Sequence, residues 1–525
     1  MESRFQLAAT LVAPSYHVLA GAMREAALRA DLLEVRLDAL GVREGRPDLG
    51  RILRSATKPV IFACRRREDG GAFLGTEAER IALLRDALRS GAAFVDLEWE
   101  TEAQALLLEP RAEATEVVLS HHDLGGIPGD LHALAGRMAA AVASRPEAVV
   151  KIAARIGNLA ENRSLLDAAS RTAEKGTRVA VAGIGPKGTL TRVLAPAVGA
   201  SLGYFSLERD PEHPLGQISL EDAATVYALG RLGRRTTAAG VLGSPVSRSL
   251  SPAMMNEAYR IRALDWVYVP LEGSAGELRD LLRNPGAPGL RFGGFSVTSP
   301  EKENALRIAD RVDPDASEIG AANTLLLTEG GVLTAMNTDA PGLLDALREP
   351  AAAGGAEFDP SGKRCAVIGG GGAARAAVWA LRKSGAEVAL YARTPTRVES
   401  FARRQGAILR PLDRFDAHGF DLVVQATPVG AAPGPDVSPV PYSLLRGVRV
   451  ACDLVTVPGR TRFLRDAEAH GARTVEGAEV LVRQGARQFA AMTRMEAPVR
   501  SMRQAARAMR ARFEAGGEPA AAILE

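Results

Sequence analysis

Eight short β-rich runs, each followed by a stretch of helical spacing, occupy the first 206 residues of this chain. They are Phe5–Val12, Leu32–Arg36, Pro59–Cys64, Phe94–Leu97, Glu116–Ser120, Ala148–Ala153, Arg178–Gly183 and Leu202–Phe205. Between them Ala, Leu, Arg and Glu recur at helical intervals, as in Glu77–Ser90 and Leu131–Ser144. Strands joined by crossover helices lie parallel in one sheet, and eight such units are the count that closes a (β/α)8 barrel. No internal sequence repeat accompanies the alternation.

The chain continues well past a barrel. At 525 residues it exceeds one ordinary core, and 46% hydrophobic with 24% charged residues is a globular balance. A boundary is predicted around Arg231–Ala239. A second α/β region follows, with strands at Ala239–Leu242, Trp266–Pro270, Gly294–Thr298 and Thr324–Leu327, then a polar hinge at Gly354–Lys363. The predicted domains are a barrel over 1–233, a substrate domain over 237–345, a nucleotide domain with returning helices over 346–502, and a tail over 503–525, frayed from Gly516.

The formal charge of +3 is spread along the chain, so no nucleic-acid stripe is expected. Short clusters such as Arg65-Arg66-Arg67 suit anionic small molecules. Cys64, Cys365 and Cys452 lie in apolar runs without metal-ligand spacing, and their odd number argues against a disulfide framework. No metal is expected. The start Met1-Glu-Ser-Arg-Phe lacks a signal core and no apolar stretch spans a bilayer, so a cytoplasmic protein with no membrane partner is expected. Oligomeric state is left open.

Two places carry chemistry on their own residues. Lys151 stands alone in the apolar run Glu147–Ala154. A buried lysine without a partner is driven toward the neutral amine, which can attack a carbonyl; the alternative is a strand-end lysine reaching solvent. Further on, the strand Cys365–Ile368 runs into a glycine-rich turn and a helix from Ala373 to Ser384. Gly369 and Gly371, with Gly372, Ala373 and the small Ala374, let a pyrophosphate approach a helix N-terminus. The next strand, Glu387–Tyr391, ends in Ala392-Arg393-Thr394-Pro-Thr-Arg397 instead of an acid. Two arginines and a hydroxyl fit a 2′-phosphate, so NADP is the expected cofactor.

From about Thr237 to Met502 the chain resembles the shikimate dehydrogenase family. The resemblance is carried by Gly243-Ser-Pro-Val-Ser-Arg-Ser-Leu-Ser-Pro252, Phe295-Ser-Val-Thr-Ser-Pro-Glu-Lys302, Ala322-Asn-Thr324, Asn337-Thr-Asp339, Gln425-Ala-Thr-Pro-Val-Gly430 and Gly477-Ala-Glu-Val-Leu-Val-Arg-Gln484. It implies that Ser249 and Ser251 hold a carboxylate and that Asn323, Thr298 and Gln484 hold hydroxyls. Lys302 would stabilise or protonate a developing alkoxide, Asp339 would orient it, and Thr427 and Gly477 would line the cofactor. Taken singly, Lys302 reads as a surface lysine at a helix start and Asp339 as a helix cap. Two positions depart from the pattern. Ser296 replaces a common Asn, as in the fused plant relatives, and Thr456 replaces a usual Tyr, which bears on the choice between shikimate and quinate.

The first half resembles type I 3-dehydroquinate dehydratases, (β/α)8 barrels with a Schiff-base lysine. The matching segments are Glu34-Val-Arg-Leu-Asp38, Pro59-Val-Ile-Phe-Ala-Cys-Arg65, Asp69-Gly-Gly71, Ser120-His-His-Asp123, Val150-Lys-Ile152, the Gly183-Ile-Gly-Pro-Lys-Gly188 turn before Arg192, and Gly216-Gln-Ile218. The resemblance implies an imine at Lys151, acid–base work by His122 and a carboxylate anchor in Arg192, with Glu34, Arg36, Arg65, Asp69 and Gln217 in the substrate site. Asp69 stands where the family usually has Glu, with Glu68 as a candidate substitute. His213 and Leu215 also depart from the pattern. Together the halves imply a bifunctional enzyme, 3-dehydroquinate to 3-dehydroshikimate and then, with NADPH, to shikimate. The alternative is a shikimate or quinate dehydrogenase whose barrel is weakly active or a binding scaffold.

Overall fold

The computed structural model describes residues 4–40, 46–208, 216–283, 289–328, 330–349 and 357–515. His213, Leu215 and the first residues of the hinge lie outside this set. Two compact units emerge: Met1–Ala238 with Asp265–Gly273 and Glu277–Arg291, and Ala239–Leu264 with Ser274–Gly276 and Phe292–Glu525.

In the first unit, β1 (Gln6–Leu11), β2 (Leu32–Arg36), β3 (Val60–Ala63), β4 (Phe94–Glu98), β5 (Glu116–Asp123), β6 (Val149–Arg155), β7 (Arg178–Ile184) and β8 (Leu202–Ser206) form one sheet. Its order is β7-β6-β5-β4-β3-β2-β1-β8, parallel throughout. The outer strands meet where the Ser201 amide, at the entry to β8, donates to the Val179 carbonyl of β7 at 2.9 Å. The expected barrel is there, with every predicted strand in place.

Strand periodicity orders the barrel interior. Ala8, Leu32, Ile61, Phe94, Val118, Val149, Ala180 and Leu202, one from each strand, form a buried apolar plug. Two residues further along six of these strands the inward side chains become Thr10, Glu34, Asp96, Ser120, Lys151 and Tyr204. Another two steps bring Arg36, Glu98 and His122 to the C-terminal mouth, where barrel enzymes place their chemistry. The plug keeps the polar layers at one end.

Beyond the barrel lie two six-stranded sheets. One contains β9 (Thr237–Gly243), β10 (Trp266–Glu272), β11 (Arg291–Val297), β12 (Arg311–Val312), β13 (Thr324–Leu327) and β14 (Leu333–Met336), in the order β10-β9-β11-β13-β14-β12. It is mixed, with β13 antiparallel to both β11 and β14. The other contains β15 (Arg364–Ile368), β16 (Glu387–Ala392), β17 (Ile408–Pro411), β18 (Leu422–Gln425), β19 (Val450–Asp453) and β20 (Arg473–Val475). Its order is β17-β16-β15-β18-β19-β20, parallel throughout. This is the doubly wound order whose direction reverses beside its first strand, the usual place for a dinucleotide.

The C-terminal boundary differs from expectation. Residues 503–515 are not a tail but continue the helix Val499–Ala515. Met502, Ala506, Met509 and Phe513, spaced four, three and four apart, are buried, and the helix packs on Ser251–Ile261. That spacing is the apolar stripe of a docked helix.

Candidate active sites

Lys151 is 4% exposed but not alone, which corrects the expectation of a partnerless amine. Its Nζ lies 3.0 Å from Asp96 Oδ2 and 3.2 Å from Glu34 Oε1, and 3.7 Å from the centre of the Tyr204 ring. Two carboxylates and an aromatic face compensate the ammonium in a layer closed below by the plug. Glu34 also accepts from Thr10 Oγ1 at 2.6 Å, and Ser120 Oγ donates to Asp96 at 2.5 Å. Burial would raise the Glu34 carboxyl, but Lys151, Arg65 and Arg36 outweigh it and hold it down to about 2.

His122 sits one layer up. Both ring nitrogens are shut off from solvent and have no hydrogen-bond partner. Burial first, then the charges of Arg65, Lys151 and Arg36, push its pKa well below the usual imidazole value. The ring is therefore neutral at physiological pH, as a general base must be. An imidazole with two buried, unused nitrogens is costly unless a ligand completes it.

The surrounding arginines are individually anchored. Arg36 makes a bidentate pair with Asp38 at 2.8 and 2.6 Å. Arg65 lies 3.8 Å from Glu98 through Nε, with its backbone N–H donating to Asp38 at 3.3 Å. Arg192 belongs not to a strand end but to the short helix Thr189–Leu194 after β7. Its Nε donates to the Gly183 carbonyl at 2.9 Å, and burial lowers its pKa to about 10, so it stays charged. Gln217 donates to Thr10 Oγ1 at 3.4 Å. Asp69 accepts from Arg66 Nε at 2.7 Å and makes no hydrogen bond to His122, while Glu68 is exposed and 3.9 Å from the same arginine. Neither acid hydrogen-bonds the histidine. Asp96 and Glu98 escaped the sequence reading; their signal was the alternation Phe94-Val-Asp-Leu-Glu98, which aims two acids into the barrel.

In the second unit Lys302 Nζ and Asp339 Oδ2 are 2.6 Å apart, on the loop after β11 and the first residue of the helix Asp339–Arg348. That helix N-terminus favours the carboxylate. Asn323 Nδ2 lies 2.8 Å from Asp339 Oδ1, 2.9 Å from Thr338 Oγ1 and 3.0 Å from Gln484 Oε1. Lys302, Asp339, Asn323 and Gln484 thus form one connected set. Ser296 Oγ donates to Gln488 Oε1 at 2.7 Å, and Gln488 Nε2 donates to the Asn323 carbonyl at 2.9 Å and to Thr324 Oγ1 at 3.0 Å. Gln488, one helical turn past Gln484, was missed because only its partners across the fold reveal it. Ser249 Oγ accepts from the Ser251 amide at 3.2 Å, and the Thr298 amide donates to the Leu242 carbonyl at 2.8 Å, which sets Thr298 beside the end of β9 where the expected substrate loop begins.

The glycine-rich turn fits a dinucleotide. Gly369 has φ +135° and a Cβ there would meet the Ala426 carbonyl oxygen at 2.9 Å, whereas Gly371 borders open space. The helix Gly372–Lys383 has no side-chain cap, leaving its first N–H groups for an anion; Ala373 lies in its first turn and Ala374 is buried behind it. Arg393, Thr394 and Arg397 are exposed just past β16. Thr427 follows β18, its amide donating to Gln425 Oε1 at 2.6 Å. Gly477 opens the last-but-one helix, where a Cβ would lie 2.3 Å from the Val455 carbonyl oxygen; Thr456 is the next residue of that loop and is half-buried.

Comparison with known proteins assigns a family to each half of the chain. Residues 7–233 match the Type I 3-dehydroquinase family, 241–325 the shikimate dehydrogenase substrate binding domain and 357–438 an NAD(P)-binding family. The chloroplastic bifunctional 3-dehydroquinate dehydratase/shikimate dehydrogenase of Arabidopsis thaliana is 31% identical over 491 residues, spanning 90% of this chain and 79% of the relative. The NADP(+) shikimate dehydrogenase of Methanocella arvoryzae is 40% identical over 274 residues, 51% of this chain and 97% of its own. A solved dehydroquinate dehydratase and shikimate dehydrogenase from S. pombe aligns over 96% of this chain and 98% of that chain at 25% identity, with a TM-score of 0.42. Dehydratase and reductase families both match, in one chain and in the fused order. This chain belongs to the bifunctional 3-dehydroquinate dehydratase/shikimate dehydrogenase family, a lyase and an NADP-dependent oxidoreductase in a single polypeptide.

Proposed function

We propose that the two activities divide near residue 235, with dehydration in residues 1–233 and reduction in 237–515, and that the residues named above carry them. Lys151 Nζ attacks the ketone carbon of 3-dehydroquinate; loss of water leaves an imine. Attack requires the amine to release a proton, and Asp96, 3.0 Å away, is the nearer acceptor. His122 takes a proton from the carbon beside the imine, the C–H electron pair moves into the conjugated system, and the hydroxyl one carbon further leaves as water with that same proton. Hydrolysis of the imine returns Lys151 and releases 3-dehydroshikimate. Arg192 holds the substrate carboxylate, with Arg36, Arg65 and Gln217 around the ring and Asp69 keeping Arg66 in place.

The single observation that carries this reading is Lys151, buried between two carboxylates one layer below a neutral histidine without partners. Borohydride reduction in the presence of 3-dehydroquinate tests it. A covalent mass gain lost in Lys151→Ala is the expected result; no gain, or one that survives the substitution, overturns the imine.

In the reductase, Ser249 and Ser251 hold the carboxylate of 3-dehydroshikimate while Asn323, Thr298 and Gln484 hold its hydroxyls. NADPH, when bound, supplies hydride to the ketone carbon. The residues that would hold it are Gly369, Gly371, Gly372, Ala373 and Ala374 at the pyrophosphate, Arg393, Thr394 and Arg397 at the 2′-phosphate, and Thr427 and Gly477 beside the nicotinamide. Lys302 gives its proton to the carbonyl oxygen as that oxygen becomes an alkoxide, and Asp339 fixes the ammonium. Ser296 is held by Gln488, and Thr456 contributes a short hydroxyl; shikimate over quinate is the preference we assign. Cys64, Cys365 and Cys452 are free and buried, which supports a reducing cytoplasm.

A further inference from the structure

The barrel mouth contains a carboxyl group to which the mechanism above gives no task. Glu98, the last residue of β4, is 4% exposed. Its Oε2 accepts from Arg80 Nη1 at 2.9 Å and lies 3.8 Å from Arg66 Nε. Its Oε1 is buried with no hydrogen bond, 3.8 Å from Arg65 Nε. Strand geometry places a titratable neighbour beside this carboxyl. One layer below, Asp96 of β4 and Ser120 of β5 touch at 2.5 Å. Two residues further along the same parallel pair stand Glu98 and His122, on the same inward face.

Building on the His122 assignment, we propose that Glu98 is a positioning residue for dehydration, the carboxylate that balances the charge His122 acquires when it takes the substrate proton. The need for one is evident from the neighbours. Arg65, Arg36 and Lys151 all oppose a positive imidazole. Asp69 is committed to Arg66 and Glu68 is exposed, and neither hydrogen-bonds the imidazole. Proton balance is unchanged: the proton goes from carbon to His122 and out with the leaving hydroxyl, and Glu98 stays ionised throughout.

The charges around Glu98 set the pH at which it can do this. Asp96 lies on its own strand, Arg65, Arg66 and Asp69 after β3, Arg80 and Glu77 on the helix Glu77–Arg89, Cys64 at the end of β3 and His122 on β5. Burial first, then Asp96 and Asp69, push the carboxyl up to about 7 against Arg80 and Arg65. Below that pH it is protonated and the counter-charge is gone, so dehydration weakens on the acid side.

The test follows enone formation from 3-dehydroquinate by the full chain without NADPH, from pH 6 to 9. At pH 8, Glu98→Gln lowers kcat about tenfold or more with KM nearly unchanged, and the acid limb flattens. The amide still accepts from Arg80, and Asp69→Asn keeps an acid limb, displaced to lower pH because a charge that raises the Glu98 carboxyl is gone. Wild-type kcat and limb in Glu98→Gln, or a limb flattened only by Asp69→Asn, overturns the proposal. Borohydride trapping is read in every variant. Wild type that is not trapped removes the Lys151 reading, whereas trapped wild type with an unmoved Glu98→Gln limb removes this inference alone. If Glu98→Gln itself escapes trapping, Glu98→Asp decides: a displaced limb supports the role and an unmoved one contradicts it.

Discussion

Lys302 and Asp339, 2.6 Å apart, are the residues whose loss should show most plainly in reduction. Lys302→Ala should lower kcat for shikimate oxidation about a hundredfold or more with dehydration untouched, since general acid–base groups contribute on that scale. Equal loss of both activities would mean a folding defect. Glu34 gives a prediction about stability. Its carboxyl, held down to about 2 from an ordinary 4.5, contributes stability that is complete above 4.5 and is lost as pH falls through 2. Denaturant midpoints of wild type and Glu34→Gln should therefore differ most above pH 4.5 and converge below it; a gap constant with pH would contradict the pairing. Arg393→Ala with Arg397→Ala should raise the KM for NADPH at least about tenfold and leave that for NADH unchanged, because a lost charge-assisted contact is worth about 1.5–3 kcal/mol.

At the scale of elements, the reductase site depends on a close approach that only glycine permits. A Cβ on Gly342 would lie 2.7 Å from the backbone N of Gln484 and 2.8 Å from its Cα, so the helices Asp339–Arg348 and Gly477–Thr493 touch there. Gly342→Ala must push them apart, costing about 1–3 kcal/mol as overpacking does and breaking the Asn323–Gln484 contact. Thermal unfolding and shikimate KM would read both effects; unchanged values would contradict the packing. The strands of the barrel were legible because each alternates with a helix of clear period. The same alternation hid the partners of Lys151, since Asp96 and Glu34 lie 55 and 117 residues away and meet it only when the sheet curls. The reductase motifs were readable as an ordered series, but Gln488 reaches Ser296 from 192 residues away. The strands β12, β14 and β17 to β20 are all two to four residues long, too short for a period to show in the sequence. Residues 503–515 were read as tail because their stripe of Met, Ala and Phe is interrupted by many arginines.

Across the whole molecule, the two proposed constellations share one polypeptide and none of the residues assigned to them. The dehydratase turns a hydroxyketone into an enone and the reductase reduces that ketone, so the product of the chemistry proposed for Lys151 is the substrate of that proposed for Lys302. The alternative of a reductase carrying an idle barrel requires Lys151, His122, Arg36, Arg65 and Arg192 to converge on one barrel mouth without function. NADPH consumption by the purified chain supplied only with 3-dehydroquinate tests the account most directly. Wild type should consume NADPH. Lys151→Ala should not, yet should do so at the wild-type rate once 3-dehydroshikimate is added. Consumption by Lys151→Ala on 3-dehydroquinate alone, or none by wild type, would contradict it.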